Sequence, residues 1–211
     1  MNNKFYGKYK NVRNAAWNVL IDFNIKSLPI RVTQIAKKMG IIVLTYSAGN
    51  EIIDIWKLRE LSMKNDGFTA RIEDQWYIFY DENIRPKTRI RFTLAHEVGH
   101  FVLGHELKIA PSGCRIGYTE ENIIKKRKSP IESEADMFAM RLLAPACVLW
   151  GLNITEADDI VNLCGICMRE AIERARRMKI LYKRGRFMLD NREKRVFEQF
   201  KEFIEEEKLN Y

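Results

Sequence analysis

The chain has little of what would staple a protein or hold it in a membrane. Its 4 cysteines, Cys114, Cys147, Cys164 and Cys167, are too few and too irregularly spaced for a disulfide framework in 211 residues that can bury their own core. With 11 glycines and 5 prolines it is neither collagen-like nor low-complexity, and a 46% hydrophobic content excludes a disordered tail. The longest uncharged run, Leu142 to Thr155, is broken by Pro145 and too short to span a bilayer. The amino-terminal MNNKFYGKYKNVRNAAW is basic but has no apolar segment and no small-residue cleavage site, so it is not expected to be a signal peptide. These absences point to a reducing cytoplasm. Acids are the minority charge, 28 against 36 Lys+Arg, and the formal net charge of +8 allows contact with nucleic acid or an acidic partner without requiring it. Histidine is scarcest in an informative way: there are 3, and His96, His100 and His105 fall within one short segment.

What is present reads as a mixed fold. Val12, Ala15, Ala16, Val19, Leu20 and Phe23 recur at helical spacing, with Asn24 as a stop. A short helix is expected from about Thr33, its possible N-cap, to Met39, with Gly40 at its exit, and IIVLTY after it reads as a strand. Asp66-Gly67 is a turn signal between candidate strands, and GFTARIEDQWYIFYDE has the pattern of a hairpin. A long helix is expected from near Pro86 to Gly104, then a basic loop from Lys108 to Lys128 containing the run Lys125, Lys126, Arg127, Lys128. Ser129-Pro130 fits the start of the next helix, which ends before Pro145. The last third is mainly helical, with a short strand pair expected around Arg186. This order predicts a compact α+β domain over residues 1–147 and a helical extension over 148–211.

Chemistry concentrates in RFTLAHEVGHFVLGH. Positions i and i+4 of a helix share a face, so His96 and His100 can reach one metal ion, and Glu97 then stands beside the metal's open position. The apolar residues Phe92, Leu94, Ala95, Val98, Phe101 and Leu103 bury this helix, where two imidazoles without partners would be costly. Zinc binding at about 2.0–2.1 Å removes that cost. A metzincin continuation is excluded, because Leu103 stands where that pattern has Gly and Glu106 where it has His. A third ligand is offered by ESEADMFAMRLLAP. Glu132 could ligate the metal while Asp136, one turn on, accepts a hydrogen bond from the outer nitrogen of a ligand histidine. Glu134 competes for the role, but it points roughly 200° away at about 3.6 residues per turn. Glu132 also occupies the capping-box position after Ser129.

Together, RFTLAHEVGHFVLGH and ESEADMFAMRLLAP resemble the ImmA/IrrE family of zinc metallopeptidases, over about Gly67 to Pro145. The resemblance implies a zincin-like domain, with His96, His100 and Glu132 as ligands of Zn2+ (Mn2+ being the other candidate) and Glu97 as catalytic base. It further implies a cytoplasmic, prophage- or mobile-element-encoded peptidase that cleaves a helix-turn-helix repressor. The longer relatives carry a sensory domain for which this chain is too short. The competing class is a non-catalytic regulatory module, binding DNA or a repressor, with a structural metal site.

Other features read more plainly. His105 and Tyr118 are the candidates to steady an oxyanion, although His105 reads more readily as a surface or helix-end residue. The lone Cys164-Gly-Ile-Cys167 lacks the second pair that a zinc ribbon needs, so its thiols are expected to be buried and ordinary. Thr155 capping one helix, Gly165 in a turn and Met168 opening a second outline a helix-turn-helix pair whose second helix carries Arg169, Arg174, Arg176 and Arg177. Glu170 and Glu173 interrupt that basic face, which favours packing or docking of a protein substrate over DNA. The final FEQFKEFIEEEKLN is an amphipathic helix that folds back on the domain or self-associates.

Overall fold

The computed structural model describes residues 11–105, 108–109, 115–116 and 129–210. Helix α1 (Val12–Asp22) buries Ala15, Ala16, Val19 and Leu20 on one face, as their spacing predicts. Helix α2 (Val32–Lys38) starts earlier than expected, with Arg31 rather than Thr33 at its N-cap. Gly40, at φ 79°, turns the chain into strand β1 (Ile41–Thr45). Two helices then follow that the sequence pattern did not announce, α3 (Asn50–Ile55) and α4 (Arg59–Lys64). Each is 6 residues long, too short for a helical period to show.

The expected hairpin is formed by β2 (Gly67–Ile72) and β3 (Gln75–Tyr80), with Phe68 opposite Phe79. Its turn lies at Glu73-Asp74, where Glu73 is left-handed, so Asp66-Gly67 opens β2 instead of joining two strands. β1 runs parallel to β3. Two-residue strands β4 (Lys108–Ile109) and β5 (Arg115–Ile116) extend the sheet to the order β1-β3-β2-β5-β4. The rest of the basic segment, including Lys125 to Lys128, Cys114 and Tyr118, lies outside the described residues.

Helices α5 (Lys87–Leu103) and α6 (Pro130–Leu143) pack side by side, α5 against the sheet and α6 against α1. α6 begins as its sequence predicts: the Ser129 hydroxyl accepts the Glu132 amide at 3.2 Å and Pro130 takes the first helical position. Five more helices complete the described chain, α7 (Ala146–Gly151), α8 (Ala157–Cys164), α9 (Met168–Lys183), α10 (Asn191–Gln199) and α11 (Lys201–Asn210). The architecture is α+β, with the helices in excess.

Three local expectations are corrected in this last third. Glu156, not Thr155, precedes α8 as its N-cap. No strand pair forms around Arg186: α9 continues to Lys183, and the left-handed residues Gly185 and Met188 turn the chain towards α10. The terminal amphipathic segment is two helices, interrupted at Phe200, and it folds back on the domain. Gln199 Nε2 donates to the carbonyls of Leu20, at 2.9 Å, and Ile25. Phe200 and Ile204 are buried in the main core, which runs without a break from Ala15 across position 147 to Ile204. A second, smaller core lies between the sheet and α3 and α4, around Ile53, Leu58, Phe68 and Phe79. Among the described residues no helix is long and apolar enough to cross a membrane.

The approach of α5 to α6 depends on one glycine. A Cβ placed on Gly99 would stand 2.9 Å from Phe138 Cδ1 and 3.4 Å from Ala135 Cα, closer than the buried phenyl ring tolerates. Gly99→Val therefore forces the two helices apart or displaces Phe138. Such overpacking costs about 1–3 kcal/mol, and the melting temperature should fall by roughly 2–4 °C for each of these. A thermal melt of the variant that superimposes on the wild type would show that this contact is not tight.

Candidate metal centre

The α5–α6 contact brings three ligand side chains to one point. His96 and His100, one turn apart on α5, meet edge to face with ring centroids 4.7 Å apart. Their Nε2 atoms are separated by 2.9 Å. Glu132, in the first turn of α6, places Oε2 3.2 Å from His96 Nε2 and Oε1 3.1 Å from His100 Nε2. Its backbone amide serves the Ser129 cap while its carboxylate turns to the histidines, so the capping-box position does not divert it. Among the described residues, this is the one group of three or more His, Cys, Asp or Glu able to hold a metal ion, with its ligand atoms within 4.8 Å of one another.

The outer nitrogens decide which lone pairs face inward. Asp136 Oδ1 accepts from His96 Nδ1 at 2.9 Å, which leaves the Nε2 lone pair of His96 towards the cluster. His100 Nδ1 lies 2.9 Å from His105 Nδ1, and His105 Nε2 lies 3.2 Å from Glu134 Oε2. A carboxylate accepts, so His105 donates through Nε2 and receives through Nδ1. His100 then donates from Nδ1 and also turns an Nε2 lone pair inward. Two such lone pairs at 2.9 Å have nothing to bond between them. Glu132 Oε1 is likewise buried without a hydrogen bond, although it lies close to His100. A divalent cation that accepts nitrogen and oxygen satisfies all three, so the residues fit one.

His105 stands at the helix end, as its position suggested, but it is buried and not on the surface. Gly104, at φ 69°, ends α5 in a left-handed turn, and the His105 amide bonds back to the His100 carbonyl at 3.0 Å. That Schellman turn folds His105 against His100 and buries it. Both ring nitrogens are engaged, which removes it as an oxyanion donor. Glu134, rejected as a ligand, holds the far end of this chain of bonds. The Gly-His pair at a helix end was the available signal, since glycine there turns the next residue back on the helix.

Glu97 lies beside the cluster, buried against β2, where Thr69 Oγ1 donates to its Oε2 at 2.7 Å. Thr69 was not anticipated; the trace it left was a hydroxyl within an otherwise buried strand. Cys147 and Cys164 are buried, free and pushed up to about 12 by that burial, whereas Cys167, expected to be buried too, is only partly so and donates its thiol to Glu170.

Charge within the cluster is strongly coupled. Burial alone would lower the His96 imidazole, but its bonds to Asp136 and Glu132 outweigh this and raise it to about 10. Burial likewise acts to raise Glu132, yet His100 and His96 hold it well below the usual carboxylate range. Burial and the neighbouring His100 lower His105, which keeps it neutral as the bond chain requires.

Residues 48–174 match the IrrE N-terminal-like domain of the M78 peptidases. No curated protein matches the chain. The family match supports a metallopeptidase function, with which the His96, His100 and Glu132 group is compatible.

Two outcomes are expected from the site's geometry and charge. His105→Ala, which removes the outer support of His100, should weaken metal affinity by about 10–100-fold in chelator competition. Equal affinity would mean that His105 merely fills space. In the metal-free protein, His96 is raised above its ordinary 6.5, so its contribution to stability is complete below that pH and is lost as pH rises through about 10. Denaturation midpoints of the metal-free chain should therefore fall between pH 6.5 and 10, and less so in His96→Gln. Parallel profiles for the two would contradict the assignment.

Proposed function

Because the chain belongs to this IrrE N-terminal-like family of peptidases, we propose that it is a metal-dependent endopeptidase cutting a protein substrate in the cytoplasm. The observation that carries this reading is the placement of Glu97. It is buried next to His96, on whose charge it acts, yet it is bonded to Thr69 and stands outside the group of three ligands. A purely structural metal site has no use for an acid held in that position.

The roles divide by residue. His96, His100 and Glu132 would hold the cation, Zn2+ by the donor set and Mn2+ as the second choice. The cation supplies Lewis acidity towards the scissile carbonyl and towards the attacking water. Asp136 fixes the His96 ring, and the His105–Glu134 chain fixes that of His100. Thr69 holds one oxygen of Glu97, leaving the other to take a proton from the attacking water and pass it to the leaving amine.

The substrate we propose is a helix-turn-helix repressor of a phage or mobile element, which rests on the family resemblance. The α8–α9 pair is the candidate docking element. Arg169 and Arg176 on α9 are paired with Glu170 and Glu173, and Arg174 is buried, so this helix does not offer a continuous basic face to DNA. Glu97→Gln should retain metal and fold but lose about 10²–10⁴-fold in cleavage rate. Elemental analysis and electrophoresis of a repressor incubated with each protein would measure both. Wild-type cleavage by Glu97→Gln would end the peptidase reading.

A further inference from the structure

Away from the metal centre, a cavity of about 280 Å³ lies between the end of α6, α9 and the turn leading to α10. Arg141, Arg174, Arg177, Arg184 and Arg186 all line it. Asp190 and Glu193 also contribute, so the lining carries an excess of positive charge. Elsewhere on the molecule arginines find carboxylates, as Arg59 does with Asp54 and Arg176 with Glu173. Arg174, Arg177, Arg184 and Arg186 make no ion pair among the described residues.

Arg174 is the decisive member. It is 5% exposed, and its Nε is buried with no hydrogen-bond partner. A buried guanidinium is ordinarily held by a carboxylate, since an uncompensated interior charge is strongly destabilising. Here the neighbour that acts on it most, Arg141, is of the same sign, as is Arg177. Burial, then Arg141, lowers its pKa to about 10 despite the opposing influence of the Cys164 and Cys147 thiols, so it remains a cation at neutral pH. A sequence free to choose would place methionine or leucine at such a position. The retained charge lacks its counter-ion.

We propose that this cavity is a binding site for a small phosphate-bearing anion, with the buried guanidinium of Arg174 as its central contact. Planar guanidinium forks match phosphate oxygens in pairs, and several forks around one cavity suit a group of more than one negative charge better than a single carboxylate. Trp17 adds a flat apolar wall, which suits an organic phosphate with a ring system. The burial of Arg174 argues against a nucleic-acid duplex. A backbone lying across the surface does not reach a residue buried like Arg174. This site is separate from the metal centre and shares no residue with it.

The test uses the full metal-loaded chain, with inorganic phosphate as probe against chloride at equal ionic strength. Phosphate should raise the melting temperature of the wild type. Arg174→Met should be more stable than wild type in chloride, because it removes an unpaired buried charge, and should show no phosphate-dependent rise. Arg177→Gln, at the cavity wall, should keep the fold and weaken phosphate binding at least tenfold by calorimetry. A phosphate response that survives in both variants would overturn the proposal, as would a wild type that phosphate leaves unchanged. Duplex DNA binding lost in Arg174→Met would overturn it too, in favour of a nucleic-acid surface.

Discussion

Three lone-pair donors facing one another at the seam of two helices form the constraint on which this structure depends. His96 Nε2 and His100 Nε2 stand 2.9 Å apart, with the Glu132 carboxylate completing the triangle. Without a cation the arrangement holds together only by keeping a proton, which is why His96 is raised to about 10 and Glu132 held low. A metal and a proton therefore compete for the same electrons. The fold provides the position and the occupant determines whether it is a charge pair or a reactive centre.

Much of the surrounding architecture serves to hold that triangle. Gly99 lets α5 and α6 approach until Phe138 lies where a side chain would be. Ser129 starts α6 so that Glu132 falls in its first turn, and Gly104 stops α5 so that His105 folds back beneath His100. Asp136 and Glu134 then stand at the outer ends of two bond chains that orient the two imidazoles. On the sheet side, β2 presents Thr69 to Glu97. The α10–α11 return packs on α1, which in turn packs on α6, so even the end of the chain supports the helix bearing Glu132.

How much of this was legible depended on how local each signal was. The two histidines and Glu97 could be read because four-residue spacing on a helix fixes a shared face. Glu132 and Asp136 could be read because their own helix shows the same spacing and a start at Ser129-Pro130. The burial of His105 at its helix end could not be foreseen, since its partners are reached through a left-handed turn and across to another helix. Thr69 needed the pairing of β2 with the sheet before its direction was defined. The short helices α3 and α4 lacked the length to show a period, and the amphipathic ending concealed its break at Phe200. Arg174 had the appearance of one more basic residue on a solvated face until packing turned it inward.

The claim that His96, His100 and Glu132 together hold a divalent cation is tested most directly by X-ray absorption at the zinc edge of the purified, zinc-loaded chain. The account predicts two imidazole nitrogens at about 2.0–2.1 Å with the remaining ligands oxygen. Both imidazole signals should disappear from the spectrum of a His96→Ala, His100→Ala double variant. A sulfur shell at about 2.3 Å, or an unchanged spectrum in that variant, would place the metal elsewhere and contradict the account.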